Sequence, residues 1–238
     1  MKSKYILFIF ILFTMCCFAN ENYNVLLNPQ NPKIEINRDS NTLFILDYSN
    51  SMNETLIDKT KHSLLLESIK LILSKISPNQ KVGVRVYGQR WGFTPIDACK
   101  ASSLIVPLGT NNLNTISTSL SKLSPRGMTP ITYSLKQAVK NDFKGIEGEK
   151  HIILITDGGE NCDESPCTYA MELVKYRKDI RIDVIALNID NEEDLDQLKC
   201  TANVTSGKLY KADTQAELVH SLNHAFNSQK HVDAKIMY

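Results

Sequence analysis

The chain has 238 residues, with 27 Lys and Arg against 26 Asp and Glu and a formal charge of +1 at neutral pH. That balance offers no basic face for nucleic-acid phosphates, and a single Trp among scattered aromatics offers no platform for stacked bases. The length and the 42% hydrophobic content suit one sizeable α/β core.

Residues 1–19 read as an export signal: Lys2 and Lys4 form a basic start, Tyr5 to Met15 an apolar core, and Cys17-Phe18-Ala19 a small-residue cleavage site before Asn20. The apolar core is shorter than the ~20 residues a membrane span needs, and no second stretch of that length follows. Cleavage leaves about 219 residues with 25 basic against 26 acidic side chains. The product is expected to be secreted or periplasmic. The alternative is lipid anchoring through Cys16 or Cys17, although Phe13-Thr14-Met15 makes a poor lipobox.

Residues 20–40 are polar and read as an extended lead-in or tether. Residues 42–47 form an apolar strand ending in Asp47. A helix is predicted near 58–76 from the spacing of Leu65, Ile69, Ile72, Leu73 and Ile76. Two strands follow, 82–87 and 103–107, joined by a loop (88–101) too long for a tight hairpin. Leu113, Ile116, Leu120 and Leu123 mark one helix; Ile131, Leu135, Ala138 and Val139 mark the next. Strand 151–156 leads to a helix near 166–178, strand 181–188, a helix near 192–203, a short strand at 207–212 and a closing helix carrying Ala216, Val219, Leu222 and Phe226. Residues 230–238 remain as a tail. This alternation predicts a doubly wound, mostly parallel α/β sheet of about six strands with helices on both faces.

Chemistry concentrates at strand ends. Asp47, Ser49 and Ser51 form Asp-x-Ser-x-Ser at the carboxyl end of the first strand, where open α/β sheets hold their ligands. A second apolar strand, His151 to Thr156, ends in Asp157, and between them lies Arg126-Gly127-Met128-Thr129-Pro130-Ile131. Oxygen-only donors of this kind suit Mg²⁺ or Mn²⁺ rather than zinc or copper. Read blandly, Ser49 or Ser51 would be an ordinary helix N-cap.

These three segments, in this order, resemble the metal-ion-dependent adhesion site of the von Willebrand factor type A (VWA) family, and the likeness extends over roughly residues 40 to 229. Asp47, Ser49 and Ser51 match its first motif, Thr129 its separate threonine and Asp157 its late aspartate. Tyr48 and Asn50 stand where the family often has small residues. The resemblance implies a cation held by those five residues, the aspartates acting largely through water, with one coordination position open for a carboxylate from a protein partner. It also implies an antiparallel edge strand at 82–106.

Four cysteines lie beyond the signal: Cys99, Cys162, Cys167 and Cys200. An even number in an exported chain predicts two disulfides with three possible connectivities. The implied sheet order favours Cys99–Cys162 with Cys167–Cys200, the latter pair under neighbouring helices. His220 and His224, one helical turn apart, lack a third ligand and read as a solvated helix face. Glu192, Glu193, Asp194 and Asp196 sit at a helix start, where the dipole accounts for them. Two other classes are weighed beside metal-bridged binding. A metal-dependent phosphatase would need an acid/base carboxylate where Ser49 stands, and a nearby Lys or Arg, neither of which the sequence supplies. A VWA scaffold acting through other surfaces would not need the metal.

Overall fold

A computed structural model describes residues 41–227; the expected signal, lead-in and tail fall outside them. Their core is a six-stranded sheet in the order β5-β4-β1-β6-β7-β8, built from β1 (Asn41–Asp47), β4 (Lys81–Tyr87), β5 (Ser102–Gly109), β6 (Lys150–Thr156), β7 (Ile180–Leu187) and β8 (Leu209–Ala212). All neighbours are parallel except β5, which runs antiparallel to β4 at the edge. The near-continuous apolar runs of β1, β6 and β7 are what a sheet covered on both faces demands. Within β1 the pleat alternates. Phe44 and Leu46 pack with Leu65 and Ile69 of α1 (Lys61–Leu73), Ile116 of α3 (Leu113–Leu120) and Leu218 and Leu222 of α7 (Gln215–Asn227). Leu43 and Ile45 pack on the other face with Leu135 of α4 (Ile131–Gln137), Leu173 of α5 (Pro166–Leu173) and Leu198 of α6 (Glu192–Val204).

The chain builds outward from β1 to β4 and β5, then returns to place β6 on the other side of β1. The carboxyl ends of β1 and β6 therefore flank the point where strand order reverses, the usual ligand crevice of such sheets. Asp47 closes β1 and Asp157 follows β6 directly.

Several boundaries differ from the sequence expectation. The helix expected from residue 58 begins at Lys61, because β2 (Thr55–Leu56) and β3 (Lys59–Thr60) pair as a short antiparallel hairpin. Thr60 then caps α1 by accepting from the Ser63 N–H. The helix expected to reach 178 stops at Leu173. The Arg177 N–H turns back to the Leu173 carbonyl, and its guanidinium pairs with Asp179 before β7. The 88–101 loop contains one helical turn, α2 (Pro95–Ala98). Both disulfides take the favoured pairing, Cys99–Cys162 and Cys167–Cys200. Asn191 and the acidic first turn cap α6. His220 and His224 are exposed and stack edge to face.

Candidate functional site

The segment after β1 is held by its own polar groups. Asp47 is fully buried, and its Oδ1 accepts the Ser49 backbone N–H at 2.6 Å. Its Oδ2 accepts from the Tyr87 hydroxyl at 3.0 Å and the Thr156 hydroxyl at 2.9 Å. Both donors close strands that flank β1, and Tyr87 is the register partner of Asp47. A single 3₁₀ turn, Asn50–Asn53, carries Ser51 back beneath Asp157. There the Ser49 and Ser51 hydroxyls lie 3.0 Å apart, and Ser51 donates to Asp157 Oδ1 at 2.8 Å. Four of the five expected residues thus form one connected chain: Asp47, Ser49, Ser51, Asp157.

The fifth, Thr129, is almost fully buried on the adjoining loop. That loop is sewn to the first motif by its backbone. Asn50 donates to the Gly127 carbonyl at 3.0 Å, Arg126 to the Tyr48 carbonyl at 3.0 Å, and Ser49 and Gly127 bridge like strand partners. The Thr129 N–H donates to the Asn161 side chain at 2.7 Å, tying the threonine loop to the Asp157 loop. Glu160 accepts from the Thr132 N–H in the same way. The Thr129 hydroxyl itself makes no hydrogen bond to the other four.

Electrostatics follow from the burial of two carboxylates. Desolvation, reinforced by the nearby Asp157 charge, pushes Asp47 up to about 6. Tyr87, fully buried against Asp47, is held well above the ordinary phenol range. The sequence found no lysine or arginine near these carboxylates; the structure corrects that. Lys61, at the first position of α1, donates to Asp157 Oδ2 at 3.1 Å and to Glu54 at 2.8 Å. Burial alone would lower the Lys61 ammonium, but its bonds to Glu54 and Asp157 outweigh that and keep it above its usual value.

Gly88 was also not singled out by the sequence. At φ +72° it lies under both loops, and a Cβ there would come within 2.6 Å of the Ser49 nitrogen and 2.7 Å of the Met128 carbonyl oxygen. A glycine directly after an apolar strand was the only available signal. Lys61 gave none, since a helix-start lysine ordinarily faces water.

The set fits a hard cation on chemical grounds. Two buried carboxylates and adjacent neutral hydroxyls concentrate negative charge that Lys61 only partly offsets, and the five expected donors are all oxygens. Among the described residues, no group of three or more His, Cys, Asp or Glu side chains is placed to hold a metal ion.

A family model for the von Willebrand factor type A domain matches residues 40–211, spanning β1 through β8. The chain belongs to the VWA family. The uncharacterized protein YwmC of Bacillus subtilis (strain 168) is 28% identical over 184 residues, covering 75% of this chain and 79% of that protein. A VWA structure from Catenulispora acidiphila superposes with a TM-score of 0.64 at 16% identity, over 80% of this chain and 43% of its own. Proximal thread matrix protein 1 from the mussel byssus, solved with a zinc-occupied MIDAS motif, gives 0.62 at 19% identity over 80% and 45%. The VWA chain described here spans less than half of each of those two solved chains. At such identities these structures speak for the VWA fold alone.

Proposed function

We propose that this VWA domain is an exported binding module that engages an acidic side chain of a protein partner through Mg²⁺ or Mn²⁺ held by Asp47, Ser49, Ser51, Thr129 and Asp157. The observation that carries the reading is the Asp47–Ser49–Ser51–Asp157 hydrogen-bonded chain at the point where strand order reverses. When bound, such a cation supplies a Lewis-acidic position for a carboxylate.

The protein residues have separable tasks. Tyr87 and Thr156 fix the Asp47 carboxylate, and the Ser49 N–H orients its other oxygen. Asn161 holds the threonine loop against the Asp157 loop. Ser49 stands two residues beyond Asp47, so that position offers no carboxylic acid for proton transfer, and Lys61 is engaged by Glu54 and Asp157. These features support binding rather than catalysis. The zinc-occupied motif in the mussel protein is a precedent for metal on this fold.

Two disulfides support an oxidising, extracytoplasmic setting. In this reading residues 1–19 are the export signal, 20–40 a lead-in, 41–229 the domain and 230–238 a tail. No helix among the described residues is long and apolar enough to cross a membrane.

Calorimetric titration with Mg²⁺ and with Mn²⁺ tests the proposal. The wild type is expected to bind one ion saturably, and Asp47→Ala and Thr129→Ala are expected to weaken it by about tenfold or more. A folded wild type that gives no binding to either metal, even with acetate added, would overturn it.

A further inference from the structure

The 88–101 loop carries an unusual exposure. Trp91 is 68% exposed, Phe93 102% and Ile96 71%: three large apolar side chains within six residues. Of the other exposed large hydrophobics, Ile57 and Leu71 stand singly, and Met171 and Tyr176 make only a pair around the end of α5. Single exposed apolar residues are ordinary, whereas a cluster marks a contact surface.

The loop does not expose these side chains through looseness. Arg90 grips Asp97 in a two-pronged ion pair at 3.0 and 2.9 Å, and the Phe93 N–H donates to the same carboxylate at 3.1 Å. Thr94 caps the α2 turn through the Asp97 N–H. Gly92 packs so tightly on Ala98 that a Cβ would fall 2.2 Å from its nitrogen. At the base, Gly88 donates to the Ala101 carbonyl at 2.9 Å, and Cys99 is bonded to Cys162 of the loop that follows Asp157. Internal polar bonds thus hold the apolar side chains outward, an arrangement that lowers the ordering cost of binding.

The same loop is joined to the metal-motif segments. The Arg126 and Gly127 N–H groups both donate to the Gly88 carbonyl, and a Cβ on Gly127 would lie 2.5 Å from the Arg90 carbonyl oxygen. Two cations border this junction, Lys100 and Arg126. Both are exposed, and neither forms an ion pair among the described residues. Lys100 shares the field of Asp97, but exposed positive charge beside an apolar cluster still complements a ligand that is acidic and apolar together.

We infer that residues 88–101 form a rigid docking arm that takes the aromatic or aliphatic residues flanking a partner's acidic side chain, with Lys100 and Arg126 favouring acidic sequence around them. This rests on the metal-bridged reading and adds to it the chemistry of the recognised segment. The occupant is an extended stretch of a partner protein in which the acid that reaches the metal is bordered by apolar residues.

Trp91 is the only tryptophan in the chain, so its fluorescence reports on this arm directly. The full chain is titrated, in Mg²⁺, with two synthetic peptides: a central aspartate flanked by leucine and phenylalanine, and the same aspartate flanked by glycine and serine. The apolar peptide is expected to shift Trp91 emission to shorter wavelength and to bind about tenfold tighter than the polar one. Phe93→Ser and Ile96→Ser, at positions that contribute little to the core, are expected to abolish that preference while leaving the polar peptide's affinity and the melting temperature unchanged.

Equal affinity for the two peptides without a Trp91 shift would overturn the docking arm and leave the metal reading standing. Failure of both peptides to bind in Mg²⁺ would overturn both. A Trp91 shift produced by anionic phospholipid vesicles, with none from the apolar peptide, would overturn the peptide arm in favour of a membrane contact.

Discussion

Lys61 places an ammonium against Asp157 and Glu54 while almost wholly buried, so it offsets part of the charge of both carboxylates. Replacing it with Met keeps the apolar stem and removes the charge. Lys61→Met is expected to lower stability in EDTA by about 1–3 kcal/mol, because Asp157 then loses its ion pair. Added Mg²⁺ should recover more stability in this variant than in the wild type. Urea denaturation with and without the ion measures both, and equal gains would contradict the role. Gly88 makes a separate prediction. At φ +72°, with no room for a Cβ, Gly88→Ala should destabilise by about 2 kcal/mol or more and weaken metal binding, since Ser49 and Met128 must both retreat. Gly88→Ala with wild-type melting would contradict the packing.

At the scale of elements, Cys99–Cys162 joins two loops and Cys167–Cys200 joins helices α5 and α6. Chain-entropy arguments give each about 4 kcal/mol at separations of 63 and 33 residues, as upper figures. Cys99→Ser with Cys162→Ser should therefore cost about 2–4 kcal/mol by chemical denaturation, and should also loosen the loop bearing Trp91. Another buried link was invisible in the sequence. Helix α4 runs on into a π turn, Ala138–Asp142, that brings the Asp142 carboxylate onto Arg85 of β4 at 2.7 Å through two nitrogens. Asp142→Ala would leave a buried guanidinium unpaired and should cost about 3–5 kcal/mol.

The β2–β3 hairpin was likewise hidden. Two-residue strands carry no periodicity, and its turn puts Ile57, a β-branched residue, at φ +66°, against every turn preference. Strands β1 and β6 were legible because burial on both faces leaves long apolar runs, and β7 because its apolar stretch from Val184 to Leu187 follows the charged Arg181 and Asp183. The cysteine spacing left three pairings open, and only the sheet order implied by the family resemblance favoured the pairing observed.

For the whole molecule, acid is the revealing stress. His151 and Asp183 form a fully buried pair linking β6 and β7. Burial lowers His151 below its usual 6.5, despite its bond to Asp183. Burial alone would raise Asp183, but His151 and Arg181 outweigh it and hold that carboxyl below 3.8. An imidazole depressed by folding contributes stability that is complete above 6.5 and is lost as the unfolded chain takes up its proton below that value. Asp47, raised to about 6, acts in the opposite sense between 3.8 and 6 when no metal is present. His151→Gln separates the two effects. Its stability should fall less than the wild type's between pH 7 and pH 5 in EDTA, as read by denaturation midpoints. A parallel fall in both proteins would contradict the buried neutral histidine.

The candidate site shows the same division as the fold. The strand-end positions of Asp47 and Asp157 were legible from the apolar runs that precede them, whereas Thr129, on the loop before α4, was picked out only by the family resemblance. Tyr87, Thr156, Asn161 and Lys61 were not legible, because each acts through a partner distant in sequence.

The central claim is that a carboxylate is captured only through the ion, and one measurement addresses it directly. An immobilised peptide with a single aspartate is offered the full chain in Mg²⁺, in Mn²⁺ and in EDTA, alongside Thr129→Ala and the peptide's Asp→Asn twin. Retention in either metal, release by EDTA, and loss with both substitutions are the results the account predicts. Retention that survives EDTA, or that Thr129→Ala leaves unchanged, would contradict it.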